Sequence, residues 1–182
     1  MANYGVILRI DPPASAAIES LFQQMATSGI NASMVSEAVY PHITLAIYEE
    51  HYPAGLDALL PEFAHQISPL NLTLSSIGLF PGDEGTLFLA PTPSDRLTRA
   101  SRLYHDITRD FRAACSPYYH PENWVPHCTL AHPIAADSAA KVINEIPALS
   151  SEWKPIPVTC STVEFVEFYP IKRLQTLRLA AS

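Results

Sequence analysis

The sequence predicts an α+β protein with two related lobes, and three observations support this. Strand and helix patterns alternate along the chain without the long regular series that a parallel sheet requires. The phrase PHITLA at Pro41–Ala46 returns as PHCTLA at Pro126–Ala131, 85 positions later. The 182 residues contain no linker or low-complexity stretch. We therefore expect a single domain over residues 1–182 with two sheets.

Local patterns assign the elements in chain order. The first strand ends at Asp11-Pro12-Pro13, and the helix after it carries apolar residues at helical spacing. The predicted strands are Tyr4–Ile10, Ile43–Tyr48, Leu70–Leu79, Thr86–Ala90, Cys128–Ala131, a strand near Val158–Phe168, and Gln175–Ala180. The predicted helices are Ala14–Met25, Leu56–Ile67, a helix capped by Ser94 or Asp95 that runs to about Ala114, and Ala136–Glu145.

The similarity between the two halves extends beyond the repeated phrase. The strand at Gly5–Asp11 and the helix after it resemble Gly85–Pro91 and its helix, and Thr86–Pro91 also resembles Thr176–Ala181. A repeat of this length that occurs only twice indicates two lobes rather than a solenoid. We interpret the chain as an internal duplication with approximate repeats 1–84 and 85–182.

Composition and charge exclude several classes of protein. The chain is 48% hydrophobic and 16% charged, as in ordinary globular proteins. A net charge of -7 argues against a long electrostatic footprint on nucleic acid. No apolar run is long enough to span a membrane, and the N-terminus does not resemble a signal peptide. Cys115, Cys128 and Cys160 show no CxxC spacing and are interpreted as reduced thiols of a cytoplasmic protein, although one disulfide stays open.

The repeated phrase places a histidine and a threonine on one face of each strand, because side chains alternate along a strand. This face is predicted to carry His42, Thr44, Ala46 and Tyr48 in the first copy, and His127, Thr129 and Ala131 in the second. The apolar residues between them suit a core. If the lobes pack about a pseudo-twofold axis, the two His/Thr faces confront each other across a cleft.

Two imidazoles and two hydroxyls suit a phosphodiester substrate. One neutral histidine can take a proton from water while the other, protonated, donates one to the leaving oxygen. Both protonation states are accessible near neutral pH, since an imidazole has a pKa of about 6.5. The threonine hydroxyls can donate to the non-bridging phosphate oxygens. A structural His–Thr pair conserved by duplication alone is the alternative interpretation. The chemistry requires no metal or cofactor.

The motifs in their contexts, YPHITLAIY and WVPHCTLAHP, resemble the 2H phosphoesterase superfamily, in particular its 2′-5′ RNA ligase-like and cyclic phosphodiesterase branches. The resemblance implies His42 and His127 as the catalytic pair, and Thr44 and Thr129 as phosphate ligands. It also implies two lobes of antiparallel sheet and helices around a cleft, with terminal segments exchanged between lobes. By analogy, His42 is the acid and His127 the base, although the near-identical motifs cannot order these roles.

Several other residues near the motifs are candidates for weaker roles. Nucleobases stack on aromatic rings, so Tyr48, Trp124 and Tyr119 are candidate base or ribose contacts, with packing as the alternative for each. We interpret Phe80 as a core residue and His120 and His132 as surface or supporting groups. The turn at Lys172 and Arg173 could receive a phosphate or ribose, although a solvated turn is the simpler interpretation. No histidine spacing typical of a metal site occurs.

The sequence therefore predicts a metal-independent phosphodiesterase that hydrolyses a 2′,3′-cyclic or related nucleotide phosphodiester. Two alternatives stay open at this stage. One is an RNA 2′-5′ ligase or RNA-end processing enzyme, and the other is a nucleotide-binding module without catalysis. The expected partner is a small nucleotide or RNA end, not a membrane, and the expected state is a monomer.

Overall fold

Two four-stranded antiparallel sheets with flanking helices form the computed structural model, which describes residues 3–49, 52–82, 84–168 and 170–180. The strands are β1 (Asn3–Arg9), β2 (His42–Glu49), β3 (Leu70–Phe80), β4 (Gly85–Pro91), β5 (Cys128–Ile134), β6 (Ile156–Cys160), β7 (Thr162–Phe168) and β8 (Lys172–Arg178). The helices are α1 (Ala14–Thr27), α2 (Ser33–Ser36), α3 (Leu56–Gln66), α4 (Asp95–Ile107) and α5 (Ala136–Glu145). The predicted α+β class is confirmed.

The order of strands in the two sheets places the repeated motifs at equivalent positions. The first sheet has the order β2-β1-β7-β8 and the second the order β5-β4-β3-β6. Each motif strand, β2 or β5, lies at a sheet edge, and its neighbour is β1 or β4. The first sheet combines strands from both ends of the chain. Strand β8 pairs antiparallel with β7 as β4 does with β3, in keeping with the similarity of Thr86–Pro91 and Thr176–Ala181, but β8 lies at a sheet edge whereas β4 lies next to β5.

Two elements differ from the sequence prediction. The apolar stretch near Val158–Phe168 is not one strand, because it changes sheet at Ser161 between β6 and β7. The helix predicted to reach Ala114 ends at Ile107 and continues as a separate 3-10 helix, Arg109–Ala114. At that junction the Thr108 backbone N–H and hydroxyl both donate to the Tyr104 carbonyl oxygen, at 2.9 and 2.8 Å. A side chain that bonds back to the helix in this way competes with its regular continuation.

Helices cover one face of each sheet. Helix α1 packs against β5 and β6, and α3 packs against β7 and β8. The largest buried cluster contains residues of both sheets, including Leu8 and Leu45 from the first and Leu89 and Leu130 from the second, each 0% exposed. Full burial of each such side chain contributes roughly 1.5–3 kcal/mol. The opposite face of each sheet is not covered by these helices.

The edge of β2 is covered by the segment that leads to the second motif. The Ser116 N–H donates to the Ile47 carbonyl oxygen at 2.8 Å, and Cys115 forms an isolated bridge with Tyr48. Farther along this segment, Trp124 Nε1 donates to the Thr44 carbonyl oxygen at 2.9 Å. An open strand edge would otherwise present unpaired backbone groups. This segment therefore ties the strand of His42 to the approach of His127.

None of the helices in the part of the chain that the structure describes is long and apolar enough to cross a membrane.

Candidate active site

A β-bulge interrupts each motif strand at the same place. On the first sheet Ile7 pairs with Thr44 and Val6 pairs with Ala46, so Leu45 is an extra residue without a partner. On the second sheet Phe88 pairs with Thr129 and Leu87 with Ala131, which makes Leu130 the extra residue. A bulge reverses the side-chain alternation beyond it. The two strands therefore change faces at equivalent positions.

This reversal corrects the predicted strand faces. Ala46 and Tyr48 do not share a face with His42; Ala46 lies in the core, and so does Ala131 of the second copy. Tyr48 is 1% exposed, and its hydroxyl forms a 2.8 Å hydrogen bond with the Tyr104 hydroxyl. The assignment of Tyr48 to the cleft face is wrong, because strict alternation does not hold across the bulge. Tyr48 therefore has no surface to offer a nucleobase.

The two motif histidines are held by the same hydrogen bond. His42 Nδ1 lies 2.7 Å from the Tyr40 carbonyl oxygen, and His127 Nδ1 lies 2.7 Å from the Val125 carbonyl oxygen. A carbonyl can only accept, so Nδ1 carries the proton in both rings and Nε2 is left for chemistry. Proline stands between each histidine and its acceptor, and it restricts both its own φ and the conformation of the preceding residue. The dipeptide Pro-His thus fixes the tautomer of each ring.

The two motifs lie close together. Strands β2 and β5 are in contact, and the charge of His127 acts on His42, where it contributes to a lowered pKa. On the core side the Cys128 thiol lies against the backbone of His42. The fold therefore brings together the two histidines that 85 positions separate in sequence, as the duplication predicts.

Burial governs the electrostatics of the two imidazoles. Burial, with a smaller contribution from His127, lowers the pKa of His42 from 6.5 to about 4, although the hydrogen bond to Tyr40 opposes this. Burial also lowers the pKa of His127, again opposed by its hydrogen bond to a backbone carbonyl. His42 is 8% exposed, and His127 is less buried. At neutral pH both rings are mainly neutral before substrate binds, and His127 accepts a proton more readily.

Each motif threonine, like its histidine, precedes the bulge in its strand and therefore shares the face of that histidine. Thr44 is 8% exposed and Thr129 is half-buried, two residues after His42 and His127 respectively. A threonine hydroxyl is both a donor and an acceptor, and its proton can turn toward an anion. Each motif thus offers one imidazole and one hydroxyl from a single strand face, as predicted.

Aromatic rings that the sequence analysis did not select surround His127. The rings of Phe80 and Phe88 each lie 5.1 Å from the His127 ring and 4.4 Å from each other. Phe88 lies across Gly78, where an added Cβ would come within 2.3 Å of its ring. Phe80 is partly exposed, which corrects its interpretation as a core residue. Two features identify this cluster. Gly78 and Phe80 lie on one face of β3, two residues apart, and Gly78 pairs with Phe88 of β4.

A similar arrangement flanks His42. Its ring lies 5.9 Å from Phe168 and 6.3 Å from Tyr40. Phe168 lies across Gly5, where an added Cβ would come within 2.5 Å of the phenyl ring. In both sheets a glycine without a side chain makes room for a phenylalanine of the next strand. Each catalytic candidate is thereby packed against an aromatic face.

The remaining predicted residues occupy supporting positions. Trp124 is half-buried and uses its indole N–H on Thr44, and Tyr119 is partly buried against the core. His132 is half-buried, and its Nδ1 lies 2.9 Å from the Thr86 hydroxyl. His120 lies next to Glu122, which forms an ion pair with Arg112. Among the described residues no cluster of three or more His, Cys, Asp or Glu could hold a metal ion, and the three cysteines are free and buried.

Comparison with known proteins assigns the family. The model of the 2′-5′ RNA ligase superfamily matches residues 11–169, which is most of the chain. This chain belongs to the 2′-5′ RNA ligase superfamily. The resemblance to the 2H phosphoesterases read from the two motifs is thereby confirmed. No curated protein sequence matches the chain.

Solved structures share the superfamily fold at low sequence identity. LigT of E. coli in its apo form is 13% identical with a TM-score of 0.62, and 98% of this chain and 97% of that chain are covered. A protein described as a phosphoesterase is 17% identical with a TM-score of 0.61 and 98% coverage of both chains. Usb1 of Kluyveromyces marxianus is 11% identical with a TM-score of 0.54 and 98% coverage of both. Similarity at this level shows a common fold.

The buried neutral His42 is expected to make this superfamily member less stable in acid. The pKa of His42 is about 4 in the folded chain, against 6.5 for an exposed imidazole. The unfolded chain therefore binds more protons between these values, so stability is lost as the pH falls from 6.5 to 4. Between pH 7 and pH 4 this group is expected to reduce the free energy of unfolding by about 3 kcal/mol.

Urea unfolding at pH 7 and pH 4 of wild type and His42→Gln measures this contribution. The variant is expected to lose about 3 kcal/mol less than wild type over the same interval. His65→Gln, at an exposed position, is the matched control and should follow wild type. If the free energy of unfolding depends on pH equally in wild type and His42→Gln, the lowered pKa of His42 is contradicted.

The substitution Gly78→Ala tests the packing around His127. Because the new methyl group would lie 2.3 Å from the Phe88 ring, that ring has to leave its position beside the imidazole. We expect chemical-shift changes at His127 Nε2 and Nδ1, together with about 1–3 kcal/mol of destabilisation from overpacking. Ser76→Ala, at an exposed position of the same strand, should produce neither change. An unperturbed His127 in Gly78→Ala would refute the packing argument.

Proposed function

We propose that the protein is a metal-independent phosphodiesterase that hydrolyses a 2′,3′-cyclic or related nucleotide phosphodiester. The observation that carries the proposal is the pair of imidazoles, His42 and His127, each with Nδ1 committed to a backbone carbonyl and Nε2 left for proton transfer. A single phosphate placed between them has a proton acceptor on one side and a proton donor on the other. Phosphodiester hydrolysis needs this combination of groups.

The reaction proceeds by proton transfer on both sides of the phosphorus atom. One imidazole accepts a proton from water as the water oxygen forms its bond to phosphorus. The other imidazole donates its proton to the ribose oxygen as the phosphorus–oxygen bond breaks, which opens the ring and leaves a phosphomonoester. The hydroxyls of Thr44 and Thr129 donate to the non-bridging oxygens, where negative charge develops. Each turnover leaves the two histidines with exchanged protonation states, which solvent restores.

Electrostatics favours His42 as the base and His127 as the acid, the reverse of the order that the resemblance implies. The base has to be neutral before reaction, and the pKa of about 4 keeps His42 neutral over the whole physiological range. His127 is less buried and does not have a second imidazole among the causes of its lowered pKa. It therefore takes up the proton that the acid needs. The approaching phosphate, as an anion, raises both pKa values and so opposes the lowering that burial causes.

Base recognition is best supported on the His127 side. Phe80 and Phe88 form a pair of rings next to the imidazole, and nucleobases stack on such faces. Phe80 is partly exposed, whereas Phe88 is only 6% exposed and supports it from below. Trp124 and Tyr119 stay candidate ribose contacts, since both are partly buried near the motif strands. The first contact to test is therefore Phe80.

The ligands of a relative support a small nucleotide as substrate. E. coli LigT has been solved in complex with 3′-AMP, with ATP, with NADP+ and with phosphate. This chain shares its fold with LigT. The superfamily name and the similarity to Usb1 favour an RNA 2′-5′ ligase or RNA-end processing enzyme as the second candidate. A nucleotide-binding module without catalysis is the third.

Removal of either imidazole is expected to slow turnover strongly. His42→Ala and His127→Ala should each reduce kcat/KM by about 10²–10⁴-fold, since each loses one general acid or base. Thr44→Val and Thr129→Val should reduce it by about 10²–10³-fold through loss of one hydrogen bond to the charged oxygens. Circular dichroism and thermal unfolding at pH 7 verify the fold of each variant. His65→Ala serves as the control for loss of an exposed imidazole.

A panel of nucleotides separates the three candidate functions. It contains 2′,3′-cyclic, 2′-5′-linked and 3′-5′-linked nucleotides in buffer with excess chelator, and phosphorus NMR identifies the products. Ring opening of a cyclic nucleotide that the histidine variants lose supports the proposal. Formation of a new linkage between nucleotides, or cleavage of a 2′-5′ or 3′-5′ linkage, instead supports the second candidate, and binding without any product supports the third. Loss of turnover in chelator would overturn metal independence.

The pH profile of kcat/KM reports the two histidines of the free enzyme. His42 has to be neutral, so activity should rise as the pH increases through about 4. His127 has to be protonated and burial lowers its pKa, so activity should fall at a pH below the 6.5 of an exposed imidazole. The optimum is therefore expected in mildly acidic solution. An optimum above pH 7 would contradict the lowered pKa values of the two histidines.

An activated substrate tells the acid from the base within this profile. A p-nitrophenyl phosphodiester has a leaving group that departs without a proton, so the acid is dispensable and the base is not. With this substrate the fall at high pH should disappear, and His127→Ala should regain activity while His42→Ala stays inactive. Recovery of His42→Ala instead would reverse the two roles.

A further inference from the structure

Three arginines, one from β1 and two from β8, lie on the same face of the first sheet as His42. His42 pairs directly with Arg9, Arg9 with Thr162, and Thr162 with Arg178. Residues directly opposite each other in antiparallel strands point to the same side, so this row of four crosses the whole sheet. With strands about 4.8 Å apart, Arg178 Cα lies roughly 14 Å from His42 Cα.

Arg173 belongs to the same face. It pairs with Val166, which in turn pairs with Gly5, and both lie on the His42 side of the sheet. Its charge acts on the Tyr40 hydroxyl together with that of Arg9, so these two arginines converge near the ring two residues before His42. We call Arg9, Arg173 and Arg178 the arginine face.

The carboxylate next to the arginine face is already engaged. Glu164 is 0% exposed; it accepts a hydrogen bond from the Tyr40 hydroxyl and lies 3.6 Å from Arg9 Nη1. The Arg9 guanidinium also lies 4.9 Å above the Tyr40 ring. A buried carboxylate held in this way fixes Arg9 and Tyr40 beside His42. The other carboxylate on this face of the described strands, Glu49, lies at the far end, opposite Asn3.

The two outer arginines are left available. Lys172 pairs with Glu167 at 3.6 Å, but within residues 3–49, 52–82, 84–168 and 170–180 neither Arg173 nor Arg178 has a carboxylate partner. Both are exposed. One carboxylate near three guanidinium groups leaves this face positive in a chain whose net charge is -7. A local excess of positive charge in an acidic protein favours a small anionic group over a long polyanion.

We propose that the arginine face binds a second phosphate of the substrate, on the side of the scissile phosphate where His42 lies. This rests on the proposed function, since it places the first phosphate between His42 and His127. The substrate class is then a nucleotide with a cyclic phosphate and a further phosphate on its 5′ side. Planar guanidinium groups bind phosphate through paired hydrogen bonds, which suits this role. The Phe80 side is left for the base.

Equilibrium binding tests the arginine face without reference to turnover. Isothermal titration calorimetry compares adenosine 3′-monophosphate with adenosine 3′,5′-bisphosphate, and with a dinucleotide whose second phosphate is an internal diester. Wild type is expected to bind the bisphosphate about tenfold more tightly than the monophosphate. The double variant Arg173→Ala/Arg178→Ala should lose this preference, and Arg102→Ala on the exposed side of α4 should keep it.

The outcomes distinguish this proposal from the proposed function. Equal affinities in wild type, or a preference that Arg173→Ala/Arg178→Ala retains, overturn the arginine face even if the enzyme hydrolyses cyclic nucleotides. A preference lost in this variant supports it even if no turnover is found. If the dinucleotide also binds more tightly than the monophosphate, the internal diester of an RNA end is the source of the second phosphate. If only the bisphosphate binds more tightly, that source is a terminal 5′-phosphate.

Discussion

The hydrogen bond from each histidine Nδ1 to the carbonyl two residues earlier is the constraint on which the site depends. It commits one nitrogen of His42 and of His127 to the backbone, at 2.7 Å in both cases. Proline between donor and acceptor keeps the carbonyl in place, because it removes most of the conformational freedom of the segment. Both rings therefore present the same nitrogen. Without this bond the imidazoles would rotate and exchange tautomers.

The paired bulges relate this constraint to the core. Each motif strand carries its polar pair before the bulge and buried apolar residues after it, with Leu45 and Leu130 as the extra residues. The alternation of side chains reverses at the bulge. Each strand can therefore line a cleft with the residues before the bulge and contribute Ala46 or Ala131 to the core after it. The change of face occurs within a few residues. The polar site and the apolar core can thus be built on one strand.

The two histidines make the same hydrogen bond to the backbone but have different surroundings. His127 lies among Phe80 and Phe88, and its acceptor, Val125, is 46% exposed. His42 lies beside Tyr40, which a buried Glu164 holds in place. Duplicated motifs in unlike environments acquire unlike pKa values and unlike neighbours, and a symmetric pair of histidines can in this way serve an asymmetric reaction.

The sequence by itself predicted the α+β class, most strands and helices, and the shared strand faces of His42 with Thr44 and of His127 with Thr129. It did so because repetition and strand periodicity are local signals. It placed Tyr48 in the cleft, took the stretch near Val158–Phe168 as one strand, and did not select Phe88, since bulges and changes of sheet leave no mark in periodicity. Only the tertiary structure decided these points and placed Arg9 and Arg178 on the sheet face of His42. The physical reason is that strand register is set by packing and hydrogen bonding between segments far apart in the chain.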